Sequence, residues 1–316
     1  MKHQRRYFLF RQTFQIPLKT AKGVWGNRAS LVLREDDGNG RVSFGEFSPI
    51  PGGPDEDLTI ATQEAKAWAR GEDNADQLNY LVPAIQSLKS SIWTKMGEVS
   101  KISESAKLWG INNSAKCGVV KRKLGLLSPK DEIPIVLSWL SQLPTHVKVR
   151  LDPNESFSRD DLLRWTDALS QHSCVQYIEQ PTGRKDDEWL IEHSLSSPIP
   201  LALDEALIRL KSRDEILQLP KNLYLVIKPI LFNDWELLFE LLSEEDRKII
   251  FSTVFESPFG YEALIRLCSH SCLNPGLERS CFLGNPHEFV AHHHRILKSP
   301  AVINEKLVEL WDFLNK

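Results

Sequence analysis

From about residue 105 the chain alternates short apolar runs with longer amphipathic stretches, and five successive runs end on charged residues. The first run closes on Lys121-Arg122-Lys123, the next on Asp152-Pro153-Asn154, then Glu179-Gln180-Pro181, Asp204-Glu205 and Lys228-Pro229. From Lys123 to Asp152 is 29 residues, and the following intervals are 27, 25 and 24. One strand and one helix of a β/α barrel consume about that much chain, so the pattern predicts parallel strands whose charged ends share one rim, the face where barrel enzymes keep their active sites. A doubly wound open sheet also alternates this way, but the glycine-rich phosphate turn that would open one is absent. The expected architecture is α/β, with a closed barrel.

The apolar runs are 119–127, 147–152, 175–179, 201–204, 223–227 and 249–252, and helix starts stand between them. Ser128-Pro129-Lys130-Asp131 offers a capping hydroxyl, a proline at the first helical position and an acid at the third; Ser158 with Asp161, and Asn233 with Glu236, repeat the cap and acid. The first hundred residues follow another pattern. Runs 32–34 and 42–47 flank Asp36-Asp37-Gly38-Asn39-Gly40, which predicts a hairpin, and Ser48-Pro49-Ile50-Pro51-Gly52-Gly53-Pro54 excludes helix and ladder alike. Leu58, Ala61, Ala65 and Trp68 then recur at helical spacing. The expected domains are an α+β unit over 1–100, the barrel over 101–290, and a C-terminal helical segment over 291–316.

Composition removes several function classes. Thirty-nine Lys and Arg against 42 Asp and Glu give a net charge of −3, so no nucleic-acid partner is expected. No apolar run approaches the ~18 residues that span a bilayer, and the first residues show no signal-peptide hydrophobic region. Five cysteines, Cys117, Cys174, Cys268, Cys272 and Cys281, form no even disulfide framework. A cytoplasmic protein with free thiols and no membrane partner is the expectation.

The order of charges says what chemistry the rim suits. Asp152, Glu179 and Asp204, flanked by lysines, supply oxygen ligands for a hard divalent cation, Mg²⁺ (or Mn²⁺). Without a cation, three converging carboxylates would repel and one would be driven to protonate. A substrate carboxylate beside that cation could lose its α-proton to a lysine, so the site suits proton abstraction next to a carboxylate. One strand-end charge alone is ordinarily a solvated loop residue; five in sequence are not. Lys148 and Arg150 alternate with Val147 and Val149 and read as packing or salt-bridge residues, and Glu155 shares their neighbourhood. His292-His293-His294 cannot share a helix face, and Cys268, Cys272 and Cys281 with His270 contain no CxxC pair, so zinc is not expected. Trp25, Trp68, Trp93 and Trp109 read as core or interdomain aromatics, Trp25 near a candidate lid.

Lys121-x-Lys123, Asp152-x-Asn154, Glu179-x-Pro181, Asp204-Glu205, Lys228-Pro229 and Glu256-Ser257-x-x-Gly260 together resemble the enolase superfamily. Arg150-Leu151-Asp152, Ile227-Lys228-Pro229, Gly276-Leu277 and Gly45-Glu46-Phe47-Ser48-Pro49-Ile50-Pro51-Gly52 are similar, within it, to the o-succinylbenzoate synthases of menaquinone and phylloquinone biosynthesis. The resemblance runs from about residue 15 to 280. It implies a modified TIM barrel, (β/α)7β, under an N-terminal α+β capping domain whose loops near Trp25 and residues 49–53 close the site. It implies Asp152, Glu179 and Asp204 as Mg²⁺ ligands, Lys123 as the base, Lys121 beside it, and Lys228 stabilising the enediolate. Asn154, Glu256, Ser257 and Pro49 would contact a small-molecule carboxylate substrate, with Ser257 near its succinyl side. The implied reaction is a lyase step, dehydration of 2-succinyl-6-hydroxy-2,4-cyclohexadiene-1-carboxylate to 2-succinylbenzoate. The chain departs from the pattern at Val254, where relatives often carry serine, and in the roughly 15 residues between a first strand at 106–109 and Lys121, too few for a crossover helix. An N-acylamino acid racemase or dipeptide epimerase would use the same two lysines as opposed bases. An aldolase would use Lys228 or Lys123 as a Schiff-base amine, and a non-catalytic barrel would only bind a partner.

Overall fold

The structure is a computed structural model that describes residues 3–20, 23–51, 57–72, 78–94, 100–108, 118–210, 212–279 and 298–315. Strands β1 (Gln4–Thr20), β2 (Gly23–Asp36) and β3 (Val42–Phe47) form an antiparallel sheet in that order. The turn between β2 and β3 closes as its residues demand: the Asp37 carboxylate accepts the amides of Asn39 (2.7 Å) and Arg41 (3.0 Å), and Gly38 and Gly40 take positive φ. Helices α1 (Thr59–Ala69) and α2 (Val82–Lys89) cover one face of the sheet. Alternation along β2 assigns its residues to two cores. Leu31 and Leu33 pack with Ala61, Ala65 and Trp68 beneath the helices, whereas Val32 joins Phe10 and Phe44 in the core that continues into the rest of the molecule.

After the short β4 (Ser100–Lys101) come seven strands of one parallel sheet: β5 (Lys107–Leu108), β6 (Val119–Lys123), β7 (Lys148–Asp152), β8 (Val175–Glu179), β9 (Leu201–Leu203), β10 (Tyr224–Ile227) and β11 (Lys248–Phe251). Their order in space is their order in the chain. Between β6 and β11 run α3 (Pro129–Leu140), α4 (Arg159–Leu169), α5 (Asp187–His193), α6 (Glu205–Arg209), α7 (Arg213–Leu217) and α8 (Trp235–Ser243). β5 pairs in parallel with β6, Lys107 opposite Val120, although only residues 109–118 join them. The segment 275–277 shuts the barrel. Gly276 bridges Ser252 beyond β11, the Ala106 amide donates to the Pro275 carbonyl (2.8 Å), and the Leu277 amide donates to the Ser105 hydroxyl (2.9 Å). Seven parallel strands, each from β6 onward followed by helix, and the closing segment form a modified barrel of the expected (β/α)7β type.

The helix starts mostly follow their sequence. Ser158 and Asp161 form a reciprocal capping box at α4. Ser128 precedes α3, but its hydroxyl donates to the Asp131 carboxylate (2.6 Å) rather than capping a backbone amide. At α8 the cap stands one residue later than expected: Asp234 has an extended backbone, and its carboxylate accepts the Leu237 amide (2.8 Å).

Helix α9 (Pro258–Cys268) is buried at every residue because it lies between barrel and cap. Strand β12 (Lys298–Ser299) pairs with β4, and α10 (Asn304–Leu314) returns to the cap. There Trp311 meets the ring of Phe8 edge-on (centroids 4.7 Å apart) and Asp312 pairs with Arg34 (3.4 Å). Phe44 stacks obliquely on Phe259 (5.0 Å), so cap, α9 and α10 share one aromatic core. No helix among the described residues is long and apolar enough to cross a membrane. Trp109, Cys117, Cys281 and His292 to His294 lie outside the described residues.

Candidate active site

Strand alternation builds the site. On β7, Val149 and Leu151 face the outer helices, which leaves Arg150 and Asp152 facing inward. The β6–β7 register sets Lys121 opposite Arg150 and Lys123 opposite Asp152. Lys121 Nζ therefore reaches Asp152 (3.0 Å) and Glu179 (2.7 Å), and Lys123 Nζ reaches Asp152 (2.8 Å). Across the barrel, Lys228 Nζ touches both oxygens of Asp204 at 2.6 Å. The three acids are buried, at 3%, 2% and 5% exposure for Asp152, Glu179 and Asp204, whereas the Lys123 side chain stays 54% exposed.

The charges bear on one another. Burial pushes the Glu179 carboxyl up; Lys121 opposes that rise, and Asp152 and Asp204 add to it. Asp204 is likewise raised by burial, against Lys228 and with Glu205 adding. Asp152 goes the other way, because Lys121 and Lys123 outweigh its burial and hold it well below the usual carboxylate range. Burial would lower Lys121 and Lys228, but Asp152 and Glu179 around the first, and Asp204 and Glu205 around the second, hold both above the ordinary lysine value. The amines thus act as the counter-charge of the carboxylates.

Among the described residues, no three His, Cys, Asp or Glu side chains stand close enough together to enclose a metal ion, since the lysine amines occupy the space between the acids. The donor set nevertheless fits a hard divalent cation. It is all oxygen, it comes from three neighbouring strands, and two of its members carry raised pKa values that a cation would bring down.

Residues 106–229, which hold both lysine groups and all three acids, match the family described as Enolase C-terminal domain-like. A solved o-succinylbenzoate synthase from Thermosynechococcus elongatus BP-1, complexed with Mg in its active site, superposes with a TM-score of 0.73 over 98% of this chain and 99% of that one, at 23% identity. The fold is that of the enolase superfamily. A substrate-liganded L-Ala-D/L-Glu epimerase from Bacillus subtilis shares this superfamily fold at a TM-score of 0.67 and 16% identity, over 85% of this chain and 86% of that one. In sequence the chain resembles the superfamily's o-succinylbenzoate synthases: that of Thermosynechococcus vestitus (strain NIES-2133 / IAM M-273 / BP-1) is 28% identical over 280 residues, 82% of this chain and 86% of the relative.

The remaining sequence-derived candidates take varied places. Asn154, at positive φ, donates its amide N–H to Asp152 (3.0 Å) and its side chain to Glu205 (3.1 Å). The Pro49 carbonyl receives the buried guanidinium of Arg28. Pro49 also borders a groove of about 660 Å³ within the cap, lined by Trp25, Thr62 and Lys66 and apart from the lysine-carboxylate rim. Trp25 packs with Phe14, Leu18, Ile50 and Phe255, which joins the tip of the β1–β2 hairpin to the loop after β11. Glu256 is buried and accepts the Val254 amide (2.8 Å). Ser257 is wholly buried as the N-cap of α9, and its amide donates to Glu46 (2.8 Å).

Sequence reasoning missed Glu46. This buried carboxylate on β3 also accepts the Ser257 hydroxyl and the Gly260 amide (3.1 Å), so the cap supplies the anion at the N-terminus of a barrel helix. A Cβ at Gly260 would come within 3.0 Å of its carboxyl carbon. A partner 211 residues away in the chain was not legible. Arg150 was expected to pack or pair, and it does so inside the barrel, donating to Gln176 (2.8 Å) and across to the Asn274 carbonyl (2.6 Å).

Proposed function

We propose that the chain is a divalent-cation-dependent carbon-oxygen lyase of the o-succinylbenzoate synthase type, dehydrating 2-succinyl-6-hydroxy-2,4-cyclohexadiene-1-carboxylate to 2-succinylbenzoate in menaquinone or phylloquinone biosynthesis. The observation that carries this reading is the alternation of three buried carboxylates with three lysines on one barrel rim. Asp152, Glu179 and Asp204 would hold Mg²⁺ or Mn²⁺, which would bind the substrate carboxylate and neutralise the charge that develops as the α-proton leaves. Lys123, the most accessible of the amines, removes that proton. It then returns the proton to the departing hydroxyl, so that water leaves and the ring becomes aromatic. Lys121 holds Asp152 and Glu179 in register beside it. Lys228 remains an ammonium facing the enediolate. Similarity to the Thermosynechococcus synthase over most of both chains supports this substrate class.

Loss of the cyclohexadiene absorbance on adding enzyme and Mg²⁺ tests the reading directly. Lys123→Ala and Lys228→Ala should each abolish aromatisation. Lys123 and Lys228 approach the acids from different strands, which also suits a racemase with opposed bases. Deuterium exchange separates the two: rapid α-proton exchange of both enantiomers of an N-succinylamino acid by the wild type, with each lysine variant retaining one hand, would replace the dehydratase reading with the racemase.

A further inference from the structure

The acids at the rim come from three separate loops, and one residue that ligates nothing touches all three. Gln180 follows Glu179 directly, is fully buried, and has positive φ (34°), a conformation uncommon for a residue with a side chain. Its amide donates to the Ala202 carbonyl (2.8 Å), and its own carbonyl accepts the Glu155 amide (2.8 Å) from the loop that carries Asp152 and Asn154. Its side-chain oxygen accepts two amides from the next loop, those of Asp204 (3.1 Å) and Ala206 (2.9 Å). Its side-chain nitrogen donates to the Thr182 carbonyl (3.2 Å) and, at 3.4 Å, to Asp187. A ring of contacts closes behind it: Asp187 binds Arg209 (2.6 Å), Arg209 binds Glu155 (2.7 Å), and the Glu155 amide returns to the Gln180 carbonyl.

We infer that Gln180 is a positioning residue that sets the spacing of Asp152, Glu179 and Asp204 and so tunes the affinity of the rim for a divalent cation; this rests on the reading of those three acids as the cation's ligands. The geometry explains why glutamine serves here. Its oxygen must accept two backbone amides while its nitrogen donates to a carbonyl and a carboxylate, and only a side-chain amide of this length does both. Removing the oxygen leaves two buried amides at Asp204 and Ala206 unpaired, and the loop can meet them only by moving, which carries the Asp204 carboxylate with it.

Calorimetric titration of Mg²⁺ into metal-stripped protein tests this, with the metal-free melting temperature measured in parallel. Gln180→Met removes both functions at similar volume and should weaken Mg²⁺ binding by about 10- to 100-fold, the usual effect of losing a partner behind the ligands. Should that variant fail to fold, Gln180→Asn carries the same test, because asparagine tolerates positive φ while its shorter side chain withdraws the acceptor. A purely structural role would lower the melting temperature and leave the affinity of the folded protein unchanged. Wild-type affinity in folded Gln180→Met or Gln180→Asn overturns the inference and spares the ligand reading. Absence of Mg²⁺ binding by the wild type overturns both.

Discussion

Two clusters that hold buried carboxylates, one at the barrel rim and one at the joint of cap and barrel, have their charges neutralised in different ways. At the rim, Asp152, Glu179 and Asp204 face the side-chain amines of Lys121, Lys123 and Lys228, one of which is half exposed. At the joint, Glu46 is held by the backbone amides of Ser257 and Gly260 and by a buried hydroxyl. Amines on flexible stems can turn away and yield their place to a cation or a substrate. Backbone amides at the start of a buried helix cannot move without moving the helix. The difference separates a carboxylate set suited to chemistry from a carboxylate that locks two domains together, though both are made of buried acids.

The sharpest break between the clusters should come from Asp204→Asn. Turnover should fall by roughly 10³-fold, the scale of losing one preorganised electrostatic contact, while circular dichroism shows the barrel still folded. Exhaustive chelation should act alike, and full activity afterwards would remove the rim from the chemistry. At the joint the balance reverses. Glu46→Ala should cost about 3 kcal/mol of stability by denaturant unfolding, because it strands two amides and a hydroxyl. If it destabilises no more than a surface substitution, the two clusters do not differ as described.

A further buried acid sharpens the contrast through pH. Glu262 on α9 pairs with Arg266 (2.8 Å) and accepts the Val302 amide (3.1 Å), yet burial pushes its carboxyl up to about 7 from the usual 4.5. A carboxyl raised on folding binds its proton more tightly in the native state. Its contribution is therefore fully present below pH 4.5 and declines as pH rises to about 7. At about 1.4 kcal/mol per pH unit the loss amounts to roughly 3 kcal/mol at most, less where Arg266 and the Val302 amide follow the charge. Melting curves between pH 5 and 8 should show the wild type losing stability relative to Glu262→Gln, and parallel curves would refute the shift. The smallest effect is expected from Ser158→Ala, which removes a capping box on an exposed helix start. A loss of about 1 kcal/mol there would calibrate how much more the buried analogue at Glu46 contributes.

Much of the rim was legible because barrel periodicity is local. Runs near 25 residues apart place Lys123, Asp152, Glu179, Asp204 and Lys228 on one face without any tertiary information. The positive φ at Gln180 was not legible, since glutamine does not announce it. Nor was the destination of α10, whose amphipathic pattern shows a buried face but not that the face belongs to the cap.

By itself, then, the sequence determined the succession of parallel strands, a closed barrel, the identity of the charged rim and the hairpin at residues 36–40. Each of these follows from spacing and turn chemistry within one or two neighbouring elements. Only the tertiary structure decided that lysines stand between the acids, that Glu46 caps a helix 211 residues away, and that Gln180 ties three loops together. Those contacts join residues distant in the chain, and the partner of a buried polar group is chosen by which backbone amides and charges the packed core leaves facing it.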